Sequence, residues 1–305
     1  MKKTSFSIAG VGFEFISHGP AAEYLFAELE SLLMGFLVSK NKQTDAVCLV
    51  HFDHEQTYKE RFDSKPLFIC REDSRLNEAI LTRMERIPFS HDNYSQAIGF
   101  LNGCLIFDEC NRRGLIYIFY SKPASHFMGT LMKLLFIFTC LVMVNRGRLM
   151  VHGAGIKKTK GRGGYLFLGN SGAGKSTVAS LSGSDAVLSD DATVIEVAGD
   201  ACNIYGTPFS QVGIDRRPRK RLYLKHEKLV KVLFLHQSAE IAIEPREQRN
   251  AFTELLTQHL HCFAIMGKPL KRQAFHLSRR VFEMTPAWDL FFRKDTGFWE
   301  LVVAK

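Results

Sequence analysis

Residues 165–195 read YLFLGNSGAGKSTVASLSGSDAVLSDDATVI, and this stretch decides the fold. Within it Gly169, Asn170, Ser171, Gly172, Ala173, Gly174, Lys175 and Ser176 satisfy G-x-x-x-x-G-K-[ST], with Thr177 next. The apolar run at 165–168 reads as a buried strand and residues 175–181 as the start of a helix, which is the setting the pattern requires. Glycines allow the backbone to bend around phosphate oxygens with its N–H groups turned inward, and the positive end of the following helix adds to the attraction. Lys175 is then expected to bridge the β- and γ-phosphates of a nucleoside triphosphate, and Ser176 to place its hydroxyl on Mg²⁺.

The next acidic site follows closely. Val187-Leu188-Ser189-Asp190-Asp191 is an apolar strand ending in two carboxylates, and Asp190 comes fifteen residues after Lys175. One helix fits between, so the strand is expected to return beside the glycine loop. Adjacent residues at a strand end point in different directions, which lets one carboxylate hold a metal while its neighbour faces an incoming hydroxyl.

Around this centre the composition is that of a globular chain. It has 305 residues, 46% hydrophobic and 23% charged, which is ample for one large domain or two ordinary ones and excludes disordered and fibrous classes. Lys and Arg exceed Asp and Glu by 40 − 31 = +9. The excess favours anionic partners. Part of it is local, in Lys157, Lys158, Lys160 and Arg162 and in Arg216, Arg217, Arg219, Lys220 and Arg221. No aromatic-interleaved recognition pattern accompanies the basic clusters, so nucleic acid is not an expected partner. The seven cysteines are odd in number, scattered and free of C-x-x-C pairs, so neither a disulfide framework nor a zinc site is indicated and a reducing cytoplasm fits best.

Towards the N-terminus, MKKTSFSIAGVGF lacks a sustained apolar stretch and reads as a first strand, spanning residues 6–16, rather than a signal peptide. A helix at 21–38 and strands at 46–52 and 115–120 follow from periodicity. The run LLFIFTCLVMV at 134–144 is eleven residues long, too short to span a bilayer, and reads as a buried core helix. His51-Phe52-Asp53-His54 and His259-Leu260-His261 read as surface polar residues, not metal ligands. Further strands are expected at 186–188, 193–197 and 230–235, a helix at 246–260, and a closing strand and helix between 288 and 303. The whole is expected to be α/β: a smaller α/β domain at residues 1–125, suited to acceptor or partner recognition, before a catalytic domain at residues 126–305.

The glycine loop alone leaves the reaction open. ABC-type ATPases share GNSGAGKST, but the chain has no LSGGQ-like signature at a suitable distance and no late apolar strand ending in Asp-Glu. It also lacks the N-K-x-D base-reading motif of GTPases. Four features in order resemble the HPr kinase/phosphorylase superfamily, which is related to the ATP-dependent phosphoenolpyruvate carboxykinases. They are Val151-His152-Gly153, GNSGAGKST, LSDDATVI, and Tyr205-Gly206-Thr207-Pro208-Phe209, similar to the G-T-P-[FW] turn of the HPr-kinase-related branch. The ending LFFRKDTGFW at 290–299 also resembles that branch, and the resemblance covers about residues 125–303.

The resemblance implies a P-loop kinase domain with a mixed central sheet, with ATP and Mg²⁺ as cofactors. It makes Asp190 the general base for an acceptor hydroxyl and places His152 by hydrogen bonding near it to tune its charge. Asp191 becomes a Mg²⁺ ligand with Ser176. The acceptor implied is a serine of a peptide or protein, with a small-molecule hydroxyl as the alternative and a nucleotide-binding regulator or slow ATPase as the reading from another class. Arg216 and Arg217 become candidate contacts to phosphate or an acidic acceptor. Kinases of this superfamily often assemble, so the resemblance allows a homo-oligomer. The stretch Cys202-Asn203-Ile204-Tyr205 departs from the HPr kinases, which carry an acidic residue there, and residues 1–125 do not resemble their N-terminal domain.

Overall fold

The computed structural model describes residues 2–18, 26–27, 29–31, 33–38, 43–54, 96–100, 103–120, 125–158, 163–183, 185–209 and 225–304. The protein is mixed α/β and divides into two compact units. One comprises Met1–Phe6, Val11–Leu33 and Leu37–Val142, and the other Ser7–Gly10, Met34–Phe36 and Met143–Lys305.

The first unit is built on a six-stranded sheet in the order β1-β2-β3-β6-β5-β4, from β1 (Lys2–Ile8), β2 (Val11–His18), β3 (Ala46–His54), β4 (Gln96–Phe100), β5 (Gly103–Asp108) and β6 (Arg113–Tyr120). The strand expected at 6–16 is two strands. Ala9 and Gly10 turn the chain between them with φ of 49° and 77°, the left-handed pair that a two-residue hairpin demands and that Gly10 readily supplies. Strands β2, β3 and β6 run parallel, and β5 and β4 add antiparallel edges. Phe138 of helix α1 (Ser125–Asn145) meets Phe13, Phe15 and Phe107 at centroid distances of 6.2, 6.3 and 5.9 Å. Gly114 lets that helix approach, since a Cβ there would lie 2.6 Å from the Phe138 ring.

Helix α1 is longer than its apolar run because the small and polar residues before residue 134 are also helical. Among the described residues it is one helix long and apolar enough to cross a membrane by length and composition. Within its window Met128–Asn145, 61% is buried in the protein.

In the second unit an eight-stranded sheet runs β11-β10-β7-β8-β12-β14-β13, with β9 beside β7 and β11 also pairing β12. Its strands are β7 (Arg148–Lys158), β8 (Gly163–Leu168), β9 (Val187–Ser189), β10 (Ala192–Ala198), β11 (Ala201–Tyr205), β12 (His226–Gln237), β13 (Ala242–Pro245) and β14 (Ala287–Phe292). β8, β12 and β14 are parallel and the other pairings antiparallel, so the sheet is mixed. Helices α2 (Lys175–Ser182) and α5 (Phe298–Ala304) cover one face, where Phe167, Val178, Leu233, Leu235, Phe298 and Trp299 form the core. Trp299 spans edge-on contacts to Tyr165 and Phe167, both at 5.5 Å, and its indole N–H donates to Ser182 Oγ at 3.2 Å. The buried area of these aromatic rings fixes α2, and with it the loop that precedes it.

The helix expected at 246–260 is α3 (Gln248–Glu254) followed by a π-helical turn, Leu255–His259. Helix α4 (Lys268–Met284) was not read from the sequence, although Pro269 in its first turn and the buried Leu270, Ala274, Ser278, Val281 and Phe282 mark one apolar face at helical spacing.

Candidate functional site

Residues 169–174 turn from the carboxyl end of β8 into α2. Gly172 and Gly174 have φ of 82° and 110°, values at which a side chain would be strained, and a Cβ on Gly174 would lie 2.5 Å from the Phe292 ring. A Cβ on Gly169 would lie 2.7 Å from that of Ala173, so the loop is closely wound. Asn170, Ser171 and Ser176 are exposed and Thr177 is half-buried. Lys175 is 8% exposed, and its ammonium donates to the carbonyls of Gly169 at 2.6 Å and Asn170 at 3.2 Å. Burial lowers its pKa, while the Asp191 carboxylate pulls the other way. A buried ammonium curled over its own loop fits the phosphate-binding expectation, because phosphate oxygens would replace those carbonyls as acceptors.

The carboxylate pair lies on the β7 flank of this loop. β9 pairs with β7 and β10 pairs with β7 in the register Ala192↔His152, so the turn between β9 and β10 sits at His152. Three backbone-directed bonds hold it. Gly153 N–H donates to Asp191 O at 2.9 Å, and the hydroxyls of Ser189 and Thr207 both donate to Ala192 O, at 2.6 and 2.7 Å. The G-T-P-F turn therefore buttresses Ala192, the residue that follows the acids. Gly206 makes this fit, since a Cβ there would lie 2.3 Å from Leu188 O.

The two adjacent acids are placed differently. Asp190 is only 3% exposed, whereas Asp191 turns outward towards Lys175 and His152. The resemblance placed His152 near Asp190; its Nε2 lies 3.2 Å from the Oδ1 of the next residue, Asp191, which the β7–β10 register sets beside it. That hydrogen bond is the main cause holding the Asp191 carboxyl below its ordinary value; burial opposes it, and the charges of His152, His261 and Lys175 assist.

His261 completes the cluster. The π-helical turn ends in a bridge between Leu260 and Val151, and His261 N–H donates to Met150 O at 3.0 Å. Its ring then lies 5.7 Å from that of His152. Burial, with the His152 charge, pushes its pKa down to about 4, so the ring is neutral at pH 7. His259 is 1% exposed, and its Nε2 lies 3.3 Å from Glu254 Oε1. The expectation that His259 is a surface polar residue is thus overturned, and His261 is half-buried. The π-helical turn carries His259 inward, a conformation that residue spacing does not signal. Burial lowers the His259 pKa against the pull of Glu254.

Of the other candidates, His51 is half-buried on β3, its ring 5.3 Å from that of Tyr117. The side chains of Asp53 and His54, and all of Arg216, Arg217, Lys160 and Arg162, lie outside the described residues. Lys157 pairs with Glu227 at 3.3 Å, and Lys158 lies over Trp299 at 4.6 Å. Among the described residues no group of three or more His, Cys, Asp and Glu could hold a metal ion. A Mg²⁺ here would rest on Ser176, Asp191 and the oxygens of a bound phosphate chain, the sparse protein ligation usual for that ion.

The arrangement brings together a glycine loop, a buried cation, a hydrogen-bonded carboxylate and a buried one. No protein-family model matches the chain, and no curated protein matches it in sequence.

Proposed function

We propose that the chain is an ATP- and Mg²⁺-dependent phosphotransferase of the HPr-kinase-like P-loop type that moves the γ-phosphate to a hydroxyl, that of a serine in a peptide or protein. The observation that carries this reading is the buried Lys175 ammonium folded onto the glycine loop, with the Asp190-Asp191 turn fastened to the neighbouring strand β7. Phosphate binding alone would need the loop and the lysine. An acid pair fastened beside them by Gly153, Ser189 and Thr207 adds what transfer to a hydroxyl requires.

In this reading the loop amides and Lys175 bind the β- and γ-phosphates. Ser176 and Asp191 hold Mg²⁺, which neutralises charge on the phosphate oxygens when bound. His152 fixes the Asp191 carboxylate by donating from Nε2. Asp190 accepts the acceptor hydroxyl's proton as its oxygen bonds to the γ-phosphorus and the bond to the β,γ-bridging oxygen breaks, leaving ADP. Acceptor or partner recognition is the proposed role of the first unit, and a reducing cytoplasm is the proposed setting.

Incubation of the full chain with Mg²⁺, γ-labelled ATP and a fraction of its host lysate tests this. Label on a peptide, protein or metabolite with the unmutated chain but not with Asp190→Asn is the expected result. Label released only as free phosphate replaces the kinase by a slow ATPase. If transfer persists in Asp190→Asn and stops in Asp191→Asn, the outward acid is the base and the two roles are exchanged.

A further inference from the structure

A bound triphosphate chain has a direction. In the function proposed above its γ end lies beside Lys175 and Asp191, on the β7 flank of β8. Its α end and nucleoside must then leave over the other neighbour of β8, which is β12 and next to it β14. Ligands of parallel α/β sheets sit at the carboxyl ends of the strands, and these two strands end in His236, Gln237, Phe291 and Phe292.

There the His236 ring stacks on that of Phe291, its register partner, with centroids 4.9 Å apart and planes 24° from parallel. The pair is built, not incidental. His236 Nε2 lies 2.6 Å from Asp289 Oδ1, and the same oxygen accepts from Arg246 at 2.5 Å. Arg246 also pairs with Glu254 and lies over Phe234, 4.1 Å from the ring centroid. The His236 side chain nevertheless remains 42% exposed. Neighbouring Gln237 donates from Nε2 to Gly172 O at 2.5 Å, which ties this strand end to the glycine loop. The register Phe234↔Leu168 brings Leu235, the residue before His236, against the start of the loop, where a Cβ on Gly169 would lie 3.3 Å from Leu235 Cβ.

We propose that His236 and Phe291 form the platform on which the nucleobase of the bound nucleotide stacks. The ring edge held by Asp289 and Arg246 fixes the plane in advance, so stacking orders little that is not already ordered. The inference rests on the phosphate site of the preceding section.

Calorimetric titration of the full chain with two probes, MgATP and magnesium inorganic tripolyphosphate, separates the base from the phosphates. His236→Ala is expected to weaken MgATP binding roughly tenfold, from the loss of one base-stacking contact, and to change tripolyphosphate binding by less than about twofold. His236→Phe restores the ring and should recover most of the MgATP affinity. Phe291→Ala should follow His236→Ala if it folds. Unchanged MgATP binding in His236→Ala, an equal loss for both probes, or no recovery in His236→Phe would overturn the platform while leaving the phosphate site standing. An unmutated chain that binds neither probe overturns both.

Discussion

The two flanks of β8 end in unlike chemistry held by unlike means. On the β7 side the acids are fixed by backbone groups and short hydroxyl bonds: Gly153 N–H on Asp191 O, and Ser189 and Thr207 on Ala192 O. On the β12 side the order comes from a chain of side chains, His236 to Asp289 to Arg246 to Glu254 to His259, drawn from β12, β14, α3 and the turns beside them. The first arrangement is short-range and tolerates little movement, as transfer of a proton to a fixed carboxylate requires. The second presents a flat, half-exposed ring and suits recognition of a planar ligand.

The sharpest break of this contrast is Asp190→Asn, which should lower phosphoryl transfer by about 10²- to 10⁴-fold while leaving MgATP binding nearly unchanged. Rates with labelled ATP beside calorimetric binding would check it. Lys175→Ala comes next. In the proposed function it removes the cation that would bind phosphate between the two flanks, and MgATP affinity should fall by about 10- to 100-fold.

Gly206→Ala probes the buttress of the acid flank alone. Its Cβ would meet Leu188 O at 2.3 Å, so a loss of roughly 1–3 kcal/mol in denaturant unfolding is expected, with transfer activity lost alongside. Gly172→Ala has nothing within 4 Å of its Cβ, and only the φ of 82° should cost it, about 1 kcal/mol.

The smallest effect concerns pH. His261 titrates at about 4 in the folded chain against an ordinary 6.5, so the unfolded chain binds more protons between those values. Its contribution to stability is complete above about pH 6.5 and is lost as the pH falls towards 4. Asp191, held below its ordinary 3.8, contributes above that value and loses its contribution only in stronger acid. His261→Gln should therefore flatten part of the slope between pH 7.5 and 5 and leave the acid limb in place; equal slopes in both proteins would refute this. His259, also held low, adds to the slope with the same sign.

The acid flank was legible because its parts are local. Residues 165–195 contain the strand, glycine loop, helix and Asp190-Asp191 in one run, and their order alone predicts β8, α2 and β9 side by side. The sheet order beyond them was not legible, nor were α4, β11 and β13. His152 was named for the right neighbourhood, but its contact with Asp191 was not legible, since only the Ala192↔His152 register sets that carboxylate beside it. His259 and His261 escaped for a different reason. They lie more than a hundred residues from His152 in sequence, and a bridge from Leu260 to Val151 brings them to it.

The sequence by itself determined that a glycine loop and an acid pair stand together, because glycine conformational freedom, strand alternation and one helix length leave few other outcomes. Tertiary structure alone decided that Asp190 is buried while Asp191 faces Lys175, that His261 joins His152, and that His236 lies flat on Phe291. Those relations depend on strand register and on packing between segments remote in the chain, and residue spacing carries no record of either.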